Sequence, residues 1–530
     1  MNLMMHPWLI FLASTWFSGL LAAETCKVFV FTGQSNSLGV TTGGEVDPSI
    51  GVDPADAHVK FWWSNVAVER KPLGDSGGAF TSLRAQQGGH YPGSATHWGP
   101  EIGFARNLYR AGVRNFAVIK ASRGGGGNTQ WSKEENGHMY RQVVDTVNAA
   151  TAALRSKGQD CEMVALLYVQ GESDNPAEAA QAGARFRKLL DHLRADLDGA
   201  GNLQGVIGGI ASATANDDTV RARQKAAAAD NPHIHYFSNL DQRDQLHDGL
   251  HFNKKAKLTV GSRFAQVVLD AGLVKRHYGK LAFIGDSITQ GGNGYPSYRH
   301  RVFEMLVSKG VPNSAAEGYE FVGSQNGFYR GVSADAPVLG GFNSMNRHEG
   351  HWGWRASWMS GRVALPAGRY QRHNLGSGVL LNWIGQAGDY HTADSGILKY
   401  HGPTYVPDTV VIKIGINDLA DGQAPSLIRN DLGLMIDQLR ICNPDVRIHL
   451  CQVLHSNRVD HELVNQLNAL LPELVAHKNK VSMRSPIWLI KVNDRFDAAK
   501  MTYDKTHPNA MGEKHVGESI AAGLGIIPEP

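Results

Sequence analysis

The stretch LAFIGDSI, residues 281–288, decides the fold of the second half of the chain. Its four leading apolar residues are typical of a buried strand, and the glycine that follows them is typical of a tight turn. A serine at a turn from a strand into a helix is expected at the edge of a sheet, where the first amides of the helix stabilise developing negative charge. The stretch therefore predicts an α/β unit that presents Ser287 at a sheet edge.

The first half opens with a similar stretch, KVFVFTGQSN at residues 27–36, which predicts the same unit around Ser35. Beyond both stretches, short apolar runs alternate with amphipathic segments, and this pattern predicts parallel sheets with helices on both faces. The predicted strands span 27–31, 116–119, 163–168, 206–210, 281–284, 410–414 and 446–450. The predicted helices span 140–156, 184–197, 257–271, 297–308, 426–441 and 461–477.

A serine, an aspartate and a histidine recur in the same order in each half of the chain. The two sets are Ser35, Asp248 and His251, and Ser287, Asp504 and His507. The serine-to-histidine separations are 216 and 220 residues, and each aspartate lies three residues before its histidine. A histidine can take the proton of a serine nucleophile while an aspartate fixes its tautomer. Because the set occurs twice, we expect two serine hydrolase domains in tandem.

A carboxamide follows a predicted strand in each half, between the serine and the histidine. Asn417 stands in Gly-Ile-Asn-Asp and Gln170 in Gln-Gly-Glu-Ser-Asp. At the carboxyl end of a strand, such an amide can donate to an oxyanion beside the backbone N–H groups of the serine and of a glycine. That glycine is Gly353 in the second half, and either Gly124 or Gly125 in the first half.

These motifs resemble those of known esterase families. Gly-Asp-Ser, Gly-x-Asn-Asp and Asp-x-x-His are similar to the blocks of SGNH, or GDSL-type, hydrolases over nearly all of residues 279–527. The segment HEGHWGW at 348–354 resembles the second block of the carbohydrate esterase family 3 acetylxylan esterases. Residues 26–270 resemble carbohydrate esterase family 6 and the sialate O-acetylesterase-like enzymes, except that four glycines run into Asn128 where that family usually has two glycines and a threonine.

The resemblances imply an α/β fold with two SGNH-hydrolase (flavodoxin-like) domains, each a three-layer α/β/α sandwich around a central parallel sheet. We expect a signal peptide at 1–23, a first esterase domain at 24–273, a short linker at 274–279 and a second esterase domain at 280–530. The apolar residues before Glu24 favour a cleaved signal peptide, and an uncleaved membrane anchor is the alternative. The predicted location is therefore secreted or periplasmic, with no membrane span after removal of the signal.

Composition and motif spacing exclude several classes of partner. The 52 basic and 49 acidic side chains leave a charge of +3, too weak and dispersed to predict nucleic acid as a partner. His348 and His351 do not have the HExxH spacing of a zinc site. The SGNH mechanism implied by the resemblance needs no metal or other cofactor, so none is predicted.

Both resemblances imply acetyl groups on a carbohydrate as the substrate, and we expect an acetylated polysaccharide such as acetylated xylan. Trp131, Trp352 and Trp354 are candidates for stacking on sugar rings, with packing in the core as the alternative for each. Two other hypotheses stay open. In the first, only one domain is catalytic and the other is a glycan-binding or vestigial module. In the second, the chain is a lipase or thioesterase acting on other short acyl esters.

Overall fold

The computed structural model of the protein describes residues 25–40, 53–66, 72–87, 96–332, 341–364 and 405–528. The predicted signal peptide, 1–23, lies outside the described residues. The described residues form two large sheets, one in each half of the chain. Among the helices of the described ranges, none has the length and apolar content that crossing a membrane requires.

The first half contains nine strands and six α-helices within the described residues. The strands are β1 (Cys26–Gly33), β2 (Lys60–Val66), β3 (Pro72–Asp75), β4 (Gln86–Gln87), β5 (Thr96–His97), β6 (Phe116–Ser122), β7 (Cys161–Val169), β8 (Gln204–Gly208) and β9 (Ile234–Phe237). The helices are α1 (Ser35–Leu38), α2 (Glu101–Arg110), α3 (His138–Arg155), α4 (Pro176–Asp196), α5 (Asp217–Ala229) and α6 (Lys254–Asp270). Short 3-10 helices span Pro54–Ala57, Asn128–Trp131 and Leu240–Gln245.

The first large sheet has seven strands in the order β3-β2-β6-β1-β7-β8-β9, and all its neighbouring pairs except β2 with β3 are parallel. The small strands β4 and β5 pair with each other in antiparallel fashion. Alternate residues of β1 face opposite sides, because side chains alternate along a strand. Phe31 packs in the cluster that contains Phe104 of α2, whereas Val30 packs in the cluster that contains Val143 of α3. Helices thus cover both faces, and the predicted three-layer α/β/α arrangement is confirmed.

The second half contains eight strands and nine α-helices within the described residues. The strands are β10 (Gly279–Gly285), β11 (Gly292–Gly294), β12 (Tyr319–Val322), β13 (Tyr329–Val332), β14 (Glu349–Gly350), β15 (Thr409–Lys413), β16 (Arg447–Cys451) and β17 (Ile487–Ile490). The helices are α7 (Ser287–Gln290), α8 (Ser297–Ser308), α9 (Phe342–Met345), α10 (Ala356–Met359), α11 (Ile416–Ala420), α12 (Pro425–Cys442), α13 (His461–Val481), α14 (Ala498–Met501) and α15 (Ala510–Gly523).

The second large sheet runs in the order β12-β10-β15-β16-β17, with β14 also paired to β10. Every neighbouring pair in it is parallel, as the alternation of strands and helices predicted. The short strands β11 and β13 form a separate parallel pair. The predicted linker, 274–279, overlaps the interval between the end of α6 at Asp270 and the start of β10 at Gly279.

The two halves are in direct contact. The indole N–H of Trp488 donates to the Asp53 carboxylate at 3.1 Å, and the Trp488 ring packs 6.0 Å from the ring of Tyr109. The imidazole Nε2 of His58 lies 2.6 Å from the carbonyl oxygen of Met483. Trp488 is buried and belongs to the apolar cluster of the first half. Trp488 of the second half therefore packs in the core of the first half.

These contacts lie at the amino-terminal edges of the two sheets. Asp53 precedes β2, Tyr109 is near the end of α2 just ahead of β6, and Trp488 is the second residue of β17. Parallel strands share one direction, so their carboxyl ends all lie at the opposite edge of the sheet. Ser35 and Ser287 directly follow the carboxyl ends of β1 and β10. The two serines therefore lie at the edges remote from the contact between the halves.

Candidate active sites

The first predicted triad is assembled in the structure. His251 Nε2 lies 2.9 Å from Ser35 Oγ, and His251 Nδ1 lies 2.6 Å from Asp248 Oδ2. The other carboxylate oxygen of Asp248 accepts the backbone N–H groups of Leu250 at 2.9 Å and His251 at 2.7 Å. The serine, the histidine and the aspartate thus form one continuous chain of hydrogen bonds.

Asp248 carries a negative charge over the neutral pH range. Burial raises the pKa of its carboxyl group, but hydrogen bonds from the side chain and backbone of His251 and from the backbone of Leu250 outweigh burial and lower the pKa to about 2. A carboxylate at this position favours the tautomer of His251 that carries its proton on Nδ1. Nε2 of His251 is then the nitrogen that can accept the Ser35 proton.

The second predicted triad has the same arrangement. His507 Nε2 lies 2.8 Å from Ser287 Oγ, and His507 Nδ1 lies 2.8 Å from Asp504 Oδ2. Asp504 Oδ1 accepts the backbone N–H groups of Thr506 and His507. Burial raises the pKa of Asp504, but the hydrogen bonds from His507 outweigh it, so the pKa is lowered overall. Each half therefore presents a serine with a base and an ionised carboxylate in line.

Each serine reaches the sheet edge because a glycine precedes its turn. A Cβ atom on Gly33 would lie 1.9 Å from the carbonyl oxygen of Val169, and one on Gly285 would lie 2.2 Å from that of Lys413. The backbone of each turn therefore approaches the neighbouring strand more closely than any side chain allows. The helices that start at the serines, α1 and α7, are only four residues long. The helix-dipole contribution expected from the sequence is therefore that of a single turn.

The two predicted carboxamide donors are anchored in a similar way. Asn417 Nδ2 donates to the carbonyl oxygen of Trp354 at 2.8 Å, and Gln170 Nε2 donates to Asp174 at 2.6 Å. Each amide nitrogen carries a second N–H. Within the described residues, no hydrogen bond uses that second N–H. Gln170 Oε1 also accepts the hydroxyl of Tyr168 at 3.2 Å, and each of the two side chains keeps one N–H donor.

Asp418 holds the loop that carries Gly353, a role that the sequence did not reveal. Its buried carboxylate accepts the backbone N–H groups of Ala356 at 2.8 Å and Ser357 at 3.1 Å. Gly353 itself has a φ of +77°, a left-handed conformation that glycine adopts without strain. The motif Gly-Ile-Asn-Asp therefore supplies a donor at its third position and a loop anchor at its fourth.

Gly124 and Gly125 lie in the turn that follows β6, the strand next to β1. Gly124 is buried, whereas Gly125 is partly exposed and has a φ of +63°. Both follow a carboxyl strand end at the same sheet edge as Ser35. The two candidates for the oxyanion glycine of the first half are therefore adjacent to the site.

Asn36 is a second residue whose role sequence reasoning missed. Its side-chain amide donates to the carbonyl oxygen of Leu250 at 3.0 Å and to Glu172 at 2.7 Å, and its oxygen accepts the backbone N–H of Phe252 at 2.9 Å. Leu250 and Phe252 flank His251 in the chain. Asn36 therefore clamps the histidine loop onto the serine turn, and its position directly after the serine was the signal available.

The three candidate tryptophans differ in exposure. Trp131 and Trp354 are each 1% exposed. The indole of Trp131 donates to the Thr32 hydroxyl within the core, and the ring of Trp354 stacks on His351 at 4.2 Å. Because the protein covers the ring faces of Trp131 and Trp354, the prediction that these two rings stack on a sugar is wrong. Trp352 is partly exposed, and its ring lies 4.5 Å from that of His507.

A small cavity lies beside the second serine. Its volume is about 10 Å³, which is room for about one water-sized group. Side chains that line it include Tyr295, Trp352, Tyr503 and Glu513. The space next to Ser287 within this cavity is therefore small.

One group of side chains in the described ranges has the geometry to hold a metal ion, namely His247, Asp248 and His251. His348 and His351 are not part of it. His348 Nε2 contacts the carbonyl oxygen of Gly327 at 2.8 Å, and His351 Nε2 contacts Glu349 at 3.1 Å. Both histidines are buried, and both make hydrogen bonds within the protein.

Comparison with known families agrees with this chemistry. Residues 25–270 match the family described as "Carbohydrate esterase, sialic acid-specific acetylesterase", and residues 351–515 match the "GDSL-like Lipase/Acylhydrolase family". The chain is an SGNH-type carboxylic ester hydrolase. The matches confirm the predicted resemblances and the predicted enzyme class, which is acetylesterase-like.

Several solved structures are similar to about half of this esterase. A carbohydrate esterase family 3 protein from Talaromyces cellulolyticus is 22% identical with a TM-score of 0.33, and the alignment covers 46% of this esterase and 95% of that chain. A Clostridium thermocellum family 3 carbohydrate esterase is 23% identical with a TM-score of 0.31, and the alignment covers 46% of this esterase and 92% of that chain. A carbohydrate acetylesterase from Xanthomonas citri is 14% identical with a TM-score of 0.32, and the alignment covers 46% of this esterase and 55% of that chain. A comparison with curated proteins finds no match.

Proposed function

We propose that this esterase is a carbohydrate O-acetylesterase with two serine active sites, one in each half. The observation that carries the proposal is that both Ser–His–Asp sets are assembled, with serine-to-histidine distances of 2.9 and 2.8 Å. Ser35 and Ser287 are the nucleophiles, and His251 and His507 are the bases. Each aspartate orients its histidine and stabilises the positive charge that forms on it.

The same sequence of steps applies at each site. The histidine takes the serine proton as the hydroxyl attacks the ester carbonyl, and the resulting oxyanion is held by backbone N–H groups and one carboxamide. The carboxamide is Gln170 in the first site and Asn417 in the second. The histidine then returns the proton to the leaving sugar hydroxyl, which leaves an acetyl-enzyme. Water, activated by the same histidine, releases acetate and regenerates the serine.

The cavity beside Ser287 supports acetyl as the acyl group. A space that holds about one water-sized group favours a small acyl group, whereas a long acyl chain requires a channel. The second site is therefore expected to cleave p-nitrophenyl acetate and to lose activity steeply from butyrate to octanoate. Equal rates on acetate and octanoate would favour a lipase instead.

The proposed substrate is an acetylated polysaccharide such as acetylated xylan. Both family resemblances concern carbohydrate esters. Trp352 lines the second site, but its ring stacks on Tyr329 at 4.1 Å and on His507 at 4.5 Å, so only its edge is left for contact with a sugar. An exported enzyme, secreted or periplasmic as residues 1–23 predict, would meet such a polymer directly. Because the two serines lie at opposite edges of the molecule, each site would engage its own segment of the polymer.

Acetate release from acetylated xylan by the wild type, Ser35→Ala, Ser287→Ala and the double variant tests the proposal. We expect partial loss in each single variant and none left in the double variant. If one single variant already matches the double variant, the other half is not an esterase on this polymer. Co-sedimentation of the double variant with insoluble xylan then shows whether that half binds glycan.

A further inference from the structure

Three side chains with metal-binding atoms meet at the first triad. One ligand atom each from His247, Asp248 and His251 lies within 4.8 Å of the other two. The ring of His247 lies 5.8 Å from that of His251, and its Nε2 lies 3.7 Å from Asp248 Oδ2. The side chain of Asp248 is 40% exposed, so an ion can approach it from solvent. Two imidazoles and a carboxylate are a ligand set that zinc prefers.

In the part of the chain that the structure describes, the His247 side chain has no hydrogen-bonding role. Neither of its ring nitrogens makes a hydrogen bond within the described residues, although the side chain is only 14% exposed. Leaving buried polar atoms without a partner costs free energy, which a bound cation would offset.

The second site lacks the third ligand. Tyr503 stands directly before Asp504, at the position that His247 has before Asp248. Its ring also stacks on the triad histidine, with ring centres 5.7 Å apart and planes tilted by 20°. A neutral phenol is a poor zinc ligand compared with an imidazole. The second site is therefore an internal control for the first.

We propose that the first site binds a zinc ion through His247, Asp248 and His251, and that this ion inhibits the site. The ion takes Asp248 Oδ2, one ring nitrogen of His247 and Nδ1 of His251, with water as the fourth ligand. Neutral His251 has a single N–H proton, so when zinc takes Nδ1 this proton moves from Nδ1 to Nε2, and no net proton is released. An imidazole protonated at Nε2 cannot accept the proton of Ser35. The inhibition rests on the proposed esterase function of this site, but the binding does not.

The test uses the full-length chain after removal of metals with a chelator. Zinc binding is measured by titration calorimetry, and hydrolysis of p-nitrophenyl acetate is followed in two variants. Ser287→Ala reports the first site and Ser35→Ala reports the second. We expect zinc to lower the activity of Ser287→Ala by roughly tenfold or more, to leave Ser35→Ala unchanged, and to be reversed by chelator.

His247→Tyr gives the first site the residue found in the second, and His247→Phe keeps only the ring. Both variants are expected to keep their zinc-free activity and to lose zinc binding. Zinc binding that persists in both, or equal inhibition of both sites, would overturn the proposal. If binding disappears in both variants but Ser287→Ala is inactive without zinc, the zinc site stands and the proposed catalytic function of the first half fails.

Discussion

At the scale of single residues, the two sites differ in the carboxamide that each uses. Gln170 is fully buried with its amide on Asp174, whereas Asn417 is partly exposed with its amide on the carbonyl of Trp354. Since each amide keeps one N–H, the loss of either should remove one oxyanion donor.

We predict that Asn417→Ala and Gln170→Ala each lower kcat at their own site by roughly 10²–10³, because one preorganised donor is lost. Initial rates on p-nitrophenyl acetate are measured for Asn417→Ala in the Ser35→Ala background and for Gln170→Ala in the Ser287→Ala background. Thermal melting controls for folding. Wild-type rates in a folded variant would show that its amide is not a donor.

Glu513 gives the second site a pH-dependent stability. Its Oε1 accepts the backbone N–H of Ser297, and its Oε2 has no hydrogen-bond partner within the described residues. Burial raises the pKa of Glu513 from 4.5 to about 8. Between these values the folded protein holds a proton that the unfolded chain releases. The contribution of Glu513 to the free energy of unfolding is therefore full below pH 4.5 and is lost as the pH rises towards 8.

We predict that Glu513→Gln reduces the fall in Tm between pH 5 and pH 8, because glutamine keeps the acceptor for Ser297 but does not titrate. Tm is measured across this range for the wild type and the variant. Glu473→Gln, at an exposed position on α13, is the matched control. Parallel Tm curves for the wild type and Glu513→Gln would contradict the prediction.

At the scale of elements, different side chains hold the two turns that carry the triad histidines. The first turn is clamped by Asn36, while the second has the buried Ile288 at the equivalent place after the serine. Ser456 supports the second turn instead, with its hydroxyl 3.0 Å from the carbonyl oxygen of Lys505 and 2.9 Å from the hydroxyl of Thr506. The same triad geometry is thus reached by unrelated supports.

We predict that Asn36→Ala lowers kcat at the first site by roughly tenfold and leaves KM nearly unchanged, because the histidine loop loses about 1–3 kcal/mol of hydrogen bonding. Kinetics are measured in the Ser287→Ala background. The same substitution in the Ser35→Ala background is the control and should not affect the second site. A change confined to KM would mean that Asn36 acts on substrate binding and not on the position of His251.

At the scale of the whole molecule, Trp488 ties the two halves into one body. Besides Asp53 and Tyr109, it stacks on His449 at 4.9 Å, so its ring is covered from both halves. Asp53 is itself paired with Arg110 at 2.7 Å. An apolar ring and a buried ion pair at one contact favour joint unfolding of the halves.

We predict that the wild type unfolds in one calorimetric transition and that Trp488→Ala separates it into two, since removing a buried tryptophan costs about 3–5 kcal/mol. Trp488→Phe keeps most of the packing and is the control, with a smaller shift in Tm. Activity at both sites should survive in Trp488→Ala at low temperature. A single transition in that variant would show that other contacts hold the halves together.

Much of the fold could be predicted because the signals are local. The helix expected at 297–308 is found at Ser297–Ser308, and the apolar run 27–31 lies inside β1. Glycine after an apolar run marks each serine turn, which depends only on neighbouring residues. By contrast, α4 begins at Pro176 and not at 184, because its first two turns are mostly polar or small and its capping box at Asn175 was overlooked.

The sequence by itself determined the two serine turns, the two Asp-x-x-His turns and the parallel architecture, since each depends on short-range pattern and backbone conformation. Only the tertiary structure decided what each side chain faces. It placed Trp131 and Trp354 in cores, Asn36 against the His251 loop and Trp488 in the other half. These contacts join residues that are distant in sequence, and their formation depends on how whole elements pack. A local pattern has no information about that packing.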